Sequence, residues 1–377
     1  MRKFLAMLCV LTMTATVFTG CGNNSQESKV QVEQEGTEQK AVASESVEQE
    51  ATEQQMPSTE TVEQEATEQA ADNSAEAVDM NIVALKGPTA MGMTSFMEQV
   101  ESGAITDYGY DFSIVAAVDE VTPMIVKGEA DIAAVPANLA SVLYNNTQGG
   151  VQVMAVNTLG VIYIVGTGEE ISSAEELKGK TIYASGKGAT PEYALNYILS
   201  ENGIDPSADV TIEWKSEHAE CLSALLADED AVAMLPQPFV TTAQMKNDKI
   251  NVMMDLTKEW DKLQEGKVQP SALLTGVVVV RKEFAENHPE AVAAFLEHYE
   301  ESVVFVNANN EEAAELIGKY EIVPAEVAKQ ALPACNITYI DGEEMKEKLS
   351  GYLGVLFEQN PKAVGGALPS DDFYYSR

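Results

Sequence analysis

Short apolar runs alternate with amphipathic stretches along the chain from residue 80 onwards. The apolar, β-branched runs predict strands, and the stretches with apolar residues at helical spacing predict helices. In the first series the predicted strands are 81–85, 113–118, 131–135, 151–156 and 160–165, and the predicted helices are 91–100, 121–126 and 136–144. Strands that alternate with helices form βαβ units, so this pattern predicts a largely parallel sheet with helices on both faces.

A second series with the same alternation follows residue 166. Its predicted strands are 181–184, 209–214, 231–235 and 250–256, and its predicted helices are 191–202, 217–227 and 237–246. A β-branched run at 274–281 then predicts a strand that returns to the first sheet. The last predicted elements are the helices 289–306, 311–320, 324–332 and 343–358.

The two series predict an α/β protein of two lobes, each a mixed, mostly parallel sheet flanked by helices. Lobe 1 comprises residues 80–166 and 275–377, and lobe 2 comprises residues 167–274. The chain therefore passes between the lobes twice, near Gly166 and near Thr275. Two crossings form a hinge, and the cleft between hinged lobes is where small ligands bind.

The N-terminus has the features of an export signal. Arg2 and Lys3 precede an apolar run over 4–18, which is the order found in a signal peptide, here residues 1–20, and not in a membrane span. The stretch FTGC at 18–21 resembles the lipobox of bacterial lipoproteins, whose cysteine is diacylated. The resemblance implies that Cys21 carries a lipid that holds the protein on the extracytoplasmic face of the cell membrane. The alternative is a plain secretory signal that happens to contain a cysteine.

The segment after Cys21 differs sharply in composition from the rest of the chain. Residues 22–79 hold 15 acidic residues and two lysines, without Trp, Phe or Tyr, so they cannot bury enough apolar surface to fold. An eight-residue motif that begins at Val32 recurs nearly unchanged from Val47 and from Val62. Without apolar positions such a repeat forms no solenoid, and we predict a disordered acidic tether over 21–79. An acidic tail that binds a partner is the alternative.

Charge narrows the classes of partner. The whole chain has a formal net charge of −37, and the part that follows the tether is itself strongly acidic. Nucleic acid and anionic lipid both need a basic surface, so this charge balance argues strongly against both as partners. The acidic surface also disfavours small anionic ligands, although a local pocket can override it.

Histidines and cysteines indicate neither a metal centre nor a catalytic triad. His288 and His298 fall on one C-terminal helix and His218 stands alone in lobe 2, so we predict no metal and no cofactor. Cys221 and Cys335 fall in different lobes, which favours two buried, unpaired thiols over a disulfide.

Five short motifs resemble one family in their order and spacing. They are GEADI at 128–132, GKTI at 179–182, GKGATP at 186–191, VRKEF at 280–284 and HPEAV at 288–292. In this order, over residues 80–377, they resemble the solute-binding proteins of ABC importers for nitrate, sulfonate, taurine and thiamine precursors. The resemblance implies a type II periplasmic-binding fold that closes on its ligand, with an ABC permease and ATPase as partners. We therefore expect a protein that binds a small organic solute and is not an enzyme.

The resemblance leaves the solute and two rival functions open. Many members have a Trp-Asp-Pro loop or a similar one after a lobe 2 strand, where this chain has LPQPF at 235–239. One rival is a surface receptor or adhesin that kept the fold without transport. The other is an enzyme similar to pyrimidine-precursor synthases, whose cysteine-rich motif and active-site histidine have no counterpart here.

Four loops that join a strand to a helix are the candidate ligand contacts, because free N–H groups at helix N-termini meet polar ligand atoms. Their alternative roles are ordinary turns and helix caps. The candidate residues are Pro88, Thr89, Ala90 and Met91 in the first loop, Pro136 and Asn138 in the second, Lys187, Gly188, Ala189 and Thr190 in the third, and Gln237 in the fourth.

These loops contain one cation, Lys187, and no arginine that would clamp a sulfonate or carboxylate. We therefore expect a neutral or heteroaromatic ligand. Candidate apolar walls are Met91, Met93, Tyr163 and Phe239, although methionines at helical spacing also fit a core. A bulky residue in place of Gly188 is expected to weaken binding and leave the fold intact.

Overall fold

The computed structural model describes residues 78–377 except 169, 170, 229 and 269. The predicted signal peptide, Cys21 and nearly all of the predicted tether lie outside the described residues. The strands are β1 (Asp79–Leu85), β2 (Gly109–Val115), β3 (Ile132–Pro136), β4 (Val151–Leu159), β5 (Ile162–Gly166), β6 (Thr181–Ala184), β7 (Thr211–Trp214), β8 (Val232–Pro236), β9 (Asn251–Asp255), β10 (Leu274–Arg281) and β11 (Ile337–Ile340).

Helices cover both sheets and dominate the C-terminal third. They are α1 (Pro88–Met91), α2 (Thr94–Glu101), α3 (Val118–Lys127), α4 (Ala137–Asn146), α5 (Thr190–Glu201), α6 (His218–Leu225), α7 (Phe239–Lys246), α8 (Leu256–Gln264), α9 (Lys282–Asn287), α10 (Pro289–Ala308), α11 (Asn310–Lys319), α12 (Ala325–Ala331) and α13 (Gly342–Gln359). The predicted helix over 91–100 is two helices, α1 and α2, and α8, α9 and β11 were not predicted.

The strands form two mixed sheets. The first has the order β11-β4-β10-β3-β1-β2 and the second the order β7-β6-β8-β5-β9. This architecture confirms the predicted α/β class with two sheets flanked by helices.

Antiparallel pairs are more frequent than the prediction of mostly parallel sheets implied. β1 runs parallel to β2 and β3, and β6 runs parallel to β7 and β8, while the other described pairs are antiparallel. β5 and β10 are each the first strand after the chain changes sheets, and each runs against both of its neighbours.

The first crossing lies at Gly160 and Val161, before β5 and not near Gly166 as the sequence suggested. β5 pairs with β8 and β9, so it belongs to the second sheet. Gly160 fits the crossing because a Cβ there would overlap the hydroxyl of Thr257 and contact Leu273. The second crossing precedes β10, close to the predicted position at Thr275.

The C-terminal helix α13 contacts the first sheet and the helices that cover the second sheet. Tyr352 of α13 is fully buried, and its ring lies 6.0 Å from that of Trp260 in α8. Its hydroxyl is 2.7 Å from the hydroxyl of Thr190 at the start of α5. Helix α13 also packs on β4 of the first sheet. One helix therefore joins the first sheet to the helices that cover the second.

Candidate ligand-binding cleft

A cleft of about 330 Å³ opens between the ends of strands from the two sheets. Strand ends and turns of the first sheet contribute one side, the second sheet contributes the other, and a turn after α11 closes the edge. The lining residues include Lys86, Gly87, Pro88, Thr89, Pro136, Thr158 and Thr275 from the first side, Val161, His218, Pro236, Gln237, Pro238, Phe239 and Thr242 from the second, and Ile322 and Val323 at the edge.

The turn between β1 and α1 brings backbone to the cleft. Gly87 has φ 131° and ψ −157°, a conformation that only glycine adopts without strain. Thr89 follows within α1, and its hydroxyl donates to the carbonyl of Leu85 at 2.6 Å. This bond closes the turn and fixes Pro88 at the cleft wall.

The loop between β8 and α7 presents Gln237 between two prolines. Gln237 is 6 % exposed, and its Oε1 accepts from the backbone N–H of Thr241 at 3.2 Å and from the Thr241 hydroxyl at 2.9 Å. These two bonds fix the orientation of the amide, so the Nε2 group is directed away from Thr241. The rigid loop also fixes Phe239, the large aromatic side chain among the lining residues.

His218, the first residue of α6, lies beside Phe239 with the ring centroids 5.6 Å apart. Its Nδ1 is 2.6 Å from the hydroxyl of Ser185, which follows β6. Burial lowers the pKa of His218 below its ordinary value, although the neighbouring Glu217 opposes this shift. The imidazole is therefore neutral near pH 7.

Asn157 of β4 is hydrogen-bonded to two residues that line the first side of the cleft. Its Nδ2 donates to the carbonyl of Thr89 at 3.3 Å, and its Oδ1 accepts from the hydroxyl of Thr158 at 3.1 Å. A Cβ on Gly276 would overlap both Asn157 and Thr89, so a glycine is required where β10 passes this pair. The backbone of α1 is thereby tied to the sheet.

The structure brings four of the predicted ligand residues together in the cleft, namely Pro88, Thr89, Pro136 and Gln237. Ala90 and Met91 are fully buried behind the first loop, where they pack in the core with Met93. The amide of Asn138 points elsewhere and donates to the carbonyl of Ala363 at 3.3 Å. Among the suggested apolar walls, Phe239 lines the cleft, whereas Tyr163 is buried and donates to the carbonyl of Ala334 at 3.0 Å.

The third predicted loop does not reach this cleft. Lys187 and Gly188 line shallow grooves on the outside of the second sheet, near Asn196. The N–H of Gly188 donates to Glu192 at 2.6 Å, and Thr190 bonds to Tyr352 in the interior. Ala189 is the N-cap of α5. Helix α13 lies against the start of α5, which explains why these residues do not face the cleft.

Two side chains that line the cleft were missed from the sequence. Lys86 directly precedes the predicted first loop and is the lining cation, in place of Lys187. Its position one residue before the Gly87-Pro88 turn indicates that it belongs to the same strand-to-helix loop. His218 was set aside because it has no histidine partner, yet its place at the start of a helix after β7 was the same signal that selected the other loops.

Within the part of the chain that the structure describes, no group of three or more His, Cys, Asp or Glu side chains is arranged to hold a metal ion. None of the helices described above combines the length and the apolar character needed to cross a membrane. Cys221 and Cys335 are both buried, unpaired thiols, and burial raises the pKa of each.

Comparison with known proteins supports this architecture. The structure is similar to an ABC transporter protein from Parabacteroides distasonis, with a TM-score of 0.65, 23 % identity and coverage of 80 % of this chain and 99 % of that one. It is also similar to the periplasmic aliphatic sulphonate-binding protein SsuA from Escherichia coli, with a TM-score of 0.62, 16 % identity and coverage of 79 % and 92 %. At these identities the likeness shows the fold alone.

Sequence comparison identifies the family. A search of the curated proteins finds no match. The family profile described as ABC transporter, phosphonate, periplasmic substrate-binding protein matches residues 92–331, which is more than half of the chain. The predicted kinship with ABC solute-binding proteins is confirmed, and the family is an extracytoplasmic one. The chain belongs to the phosphonate-type periplasmic substrate-binding proteins of ABC transporters.

Proposed function

We propose that this protein captures a small organic solute in the cleft between its two sheets and delivers it to the permease and ATPase of an ABC importer. The observation that carries the proposal is the cleft itself, which strand ends and turns of both sheets line. Pockets at such domain interfaces, mostly apolar with a few fixed polar groups, are the usual form of a small-molecule site.

Movement about the crossings would open and close the cleft. The chain passes between the sheets at Gly160 and again before β10, and short crossings of this kind act as hinges. The lining side chains come from both sides of the hinge, so a bound solute would bridge the lobes and favour the closed state. A change of shape on binding is what a permease needs to distinguish loaded from empty protein.

A neutral or heteroaromatic solute fits the lining best. Phe239 and the prolines of the loops offer flat apolar walls, and no arginine lines the cleft among the described residues. Lys86, a cation on the first side of the cleft, favours an anion. The family description names phosphonate, and the similar structure from Escherichia coli is named for sulphonates, so both anions belong in any ligand screen.

The protein would bind its solute without turning it over. The polar side chains of the cleft are a neutral histidine, threonines, an amide and a lysine, an assortment suited to hydrogen bonding.

We also propose that a lipid on Cys21 holds the protein on the outer face of the cell membrane, with the segment between Cys21 and the start of β1 as the tether. Export of a Cys21→Ser variant into the medium, with wild-type protein retained in the membrane fraction, would support the anchor; equal retention of both would contradict it.

Binding can be tested by a thermal-shift screen of the full chain against pyrimidines, flavins, alkylsulfonates, phosphonates and nitrate. A solute that raises the melting temperature is then titrated calorimetrically into two variants of the same helix. Thr242→Trp fills the cleft from α7 and should abolish binding. Met245→Trp, on the exposed side of α7, should bind as wild type. Equal affinity in both variants, or release of a chemically altered product, would contradict the proposal.

A further inference from the structure

The hydrogen bonds around His218 determine which of its ring nitrogens faces the cleft. Nδ1 is 2.6 Å from the hydroxyl of Ser185, a residue that is only 3 % exposed. Among the described residues Nε2 has no hydrogen-bonding partner, and the ring lines the cleft. One nitrogen of His218 is therefore held by the protein, and the other is left for a bound solute.

The surroundings of Ser185 determine which of the two nitrogens carries the proton. A buried hydroxyl hydrogen needs an acceptor, and leaving it without one is costly. The groups beside it are Nδ1 of His218 and the buried thiol of Cys221. An unprotonated imidazole nitrogen is a strong acceptor and a thiol a weak one. Ser185 therefore donates to Nδ1, which places the ring proton on Nε2.

Gln237 supplies a second donor on the same side of the cleft. Its Oε1 is occupied by the N–H and the hydroxyl of Thr241, which fixes the amide so that Nε2 is its free end. This Nε2 has no acceptor within the described part of the protein. Two donors from the second sheet, His218 Nε2–H and the Gln237 amide, are thus left without partners among the described residues.

The threonine hydroxyls that line the cleft act as hydrogen-bond acceptors towards a ligand. Thr89 donates its hydroxyl hydrogen to the carbonyl of Leu85, and Thr275 donates to the carbonyl of Leu159. A hydroxyl that has given its hydrogen to the protein can only accept from a ligand. Thr89 and Thr275 therefore place acceptors on the side of the first sheet, opposite the two donors, beside the donor Lys86. Thr242 adds one acceptor on the side of the second sheet, because its hydroxyl donates to the carbonyl of Pro238 at 3.2 Å.

We propose that Ser185 fixes His218 as an Nε2–H donor, and that His218 and Gln237 together select a solute that turns a hydrogen-bond acceptor towards the second sheet. A carbonyl oxygen or an unprotonated ring nitrogen meets this requirement. Ser185 is a positioning residue, and His218 and Gln237 are specificity-determining residues. The inference rests on the proposed function, since it concerns the solute that the cleft admits.

The tautomer of His218 can be measured without knowing the solute. Nitrogen-15 NMR of the full chain with labelled histidine resolves the two ring nitrogens, and His218→Gln assigns the signal among the three histidines. At about pH 7.5 we expect a neutral ring with the proton on Nε2. In Ser185→Ala the shifts should move to those of a mixture of tautomers. A proton on Nδ1 in the wild type, or an unchanged ring in Ser185→Ala, would overturn the role of Ser185.

The choice of acceptor can be tested with two small probes. 1-Methyl-2-pyridone only accepts hydrogen bonds and pyrrole only donates them, and each is titrated by NMR into wild type, His218→Phe and His218→Gln. His218→Phe keeps a ring but no donor, so pyridone should lose roughly tenfold in affinity, the effect of one hydrogen bond in a desolvated site. His218→Gln keeps a donor and should bind pyridone nearly as wild type.

Pyrrole serves as the matched control, because the threonines and not His218 would receive its N–H. Its affinity should be the same in the three proteins. Equal losses for both probes in His218→Phe would show that His218 only packs against the ligand, and would overturn the inference. If neither probe binds wild type, the proposed function of the cleft fails, while the tautomer experiment still decides how Ser185 and His218 are arranged.

Discussion

The hydroxyls of Thr190 and Tyr352 lie 2.7 Å apart in the interior and tie the start of α5 to the C-terminal helix α13. Two further bonds follow the same seam, from Gln359 to the carbonyl of Tyr193 at 3.1 Å and from Asn360 to the hydroxyl of Tyr193 at 3.1 Å. Helix α13 therefore covers the α5 N-terminus that the sequence suggested as a ligand contact, and the seam joins the layers of the two sheets.

Loss of this bond should destabilise the fold without touching the cleft. Tyr352→Phe leaves the buried hydroxyl of Thr190 without its partner, which costs about 1–2 kcal/mol of unfolding free energy. Urea denaturation measures the change, and the affinity for the captured solute should stay within about twofold of wild type. Weaker binding at unchanged stability would mean that the seam belongs to the binding site.

Phe239 should contribute to affinity, and Lys187 should not. Phe239→Ala removes an aromatic wall of the cleft, and the lost contact area should weaken binding by about tenfold or more. Lys187→Ala is the matched control, because Lys187 lies on the outside of the second sheet. Calorimetric titration of both variants decides between the observed cleft and the loop that the sequence favoured; a loss confined to Lys187→Ala would favour the loop.

Gly188 should matter for stability and not for ligand affinity. It has φ +80°, and no atom lies within 4 Å of the position that an added methyl group would take, so Gly188→Ala should cost about 1 kcal/mol of stability through backbone strain alone. Contrary to the expectation from sequence, affinity should not change, because Gly188 does not line the cleft. Thermal denaturation and titration of the one variant separate the two effects.

A largely buried ion pair ties the end of β10 to Asp131, the residue before β3, within the first sheet. Arg281 donates to Asp131 at 2.7 Å, and Asp131, 4 % exposed, also accepts from the backbone and side chain of Asn81. Arg281→Met leaves this carboxylate buried without its cation and should cost about 3 kcal/mol. Lys127→Met, which breaks an exposed pair with Glu129, should cost less than about 1 kcal/mol. Equal costs in the two variants would contradict this account.

The pKa of Asp372 should depend on Tyr144. The Tyr144 hydroxyl donates to Asp372 at 2.6 Å, and this bond is the main cause that lowers the pKa of Asp372 to about 2, with help from Ser370 and Lys282. Because the folded-state pKa lies below 3.8, the contribution to stability is present above that pH and is lost as the pH falls towards 2. In Tyr144→Phe, carbon-13 NMR should show this pKa rising towards 3.8; an unchanged value would assign the shift to Ser370 and Lys282.

Much of the fold could be predicted from hydrophobic periodicity, because long β-branched runs predict strands and regular apolar spacing predicts helices. The strand Leu274–Arg281 was predicted at its observed bounds for this reason. Helix α8 was missed because most of its residues are polar, although Leu256 and Trp260 are spaced for one buried face and Asp255 caps its start. β11 was missed because four residues at a sheet edge leave little pattern.

The cleft could be predicted only in part, because strand-to-helix loops look alike in sequence and only packing decides which of them face inward. The loops that hold Pro88, Pro136 and Gln237 meet, whereas the loop at 186–190 is turned against α13. That helix lies some 160 residues further along the chain, and no local pattern predicts such a contact. The position of the first crossing was mispredicted for the same reason, because it depends on the sheet with which β5 pairs.

Capture of a solute between the two sheets can be checked in a crystal structure of the full chain with the solute that native mass spectrometry identifies. We expect density for that solute between Pro88 and Phe239, with an acceptor atom within hydrogen-bonding distance of the Gln237 amide. Density in the groove beside Lys187, with the cleft between the sheets empty, would contradict this expectation.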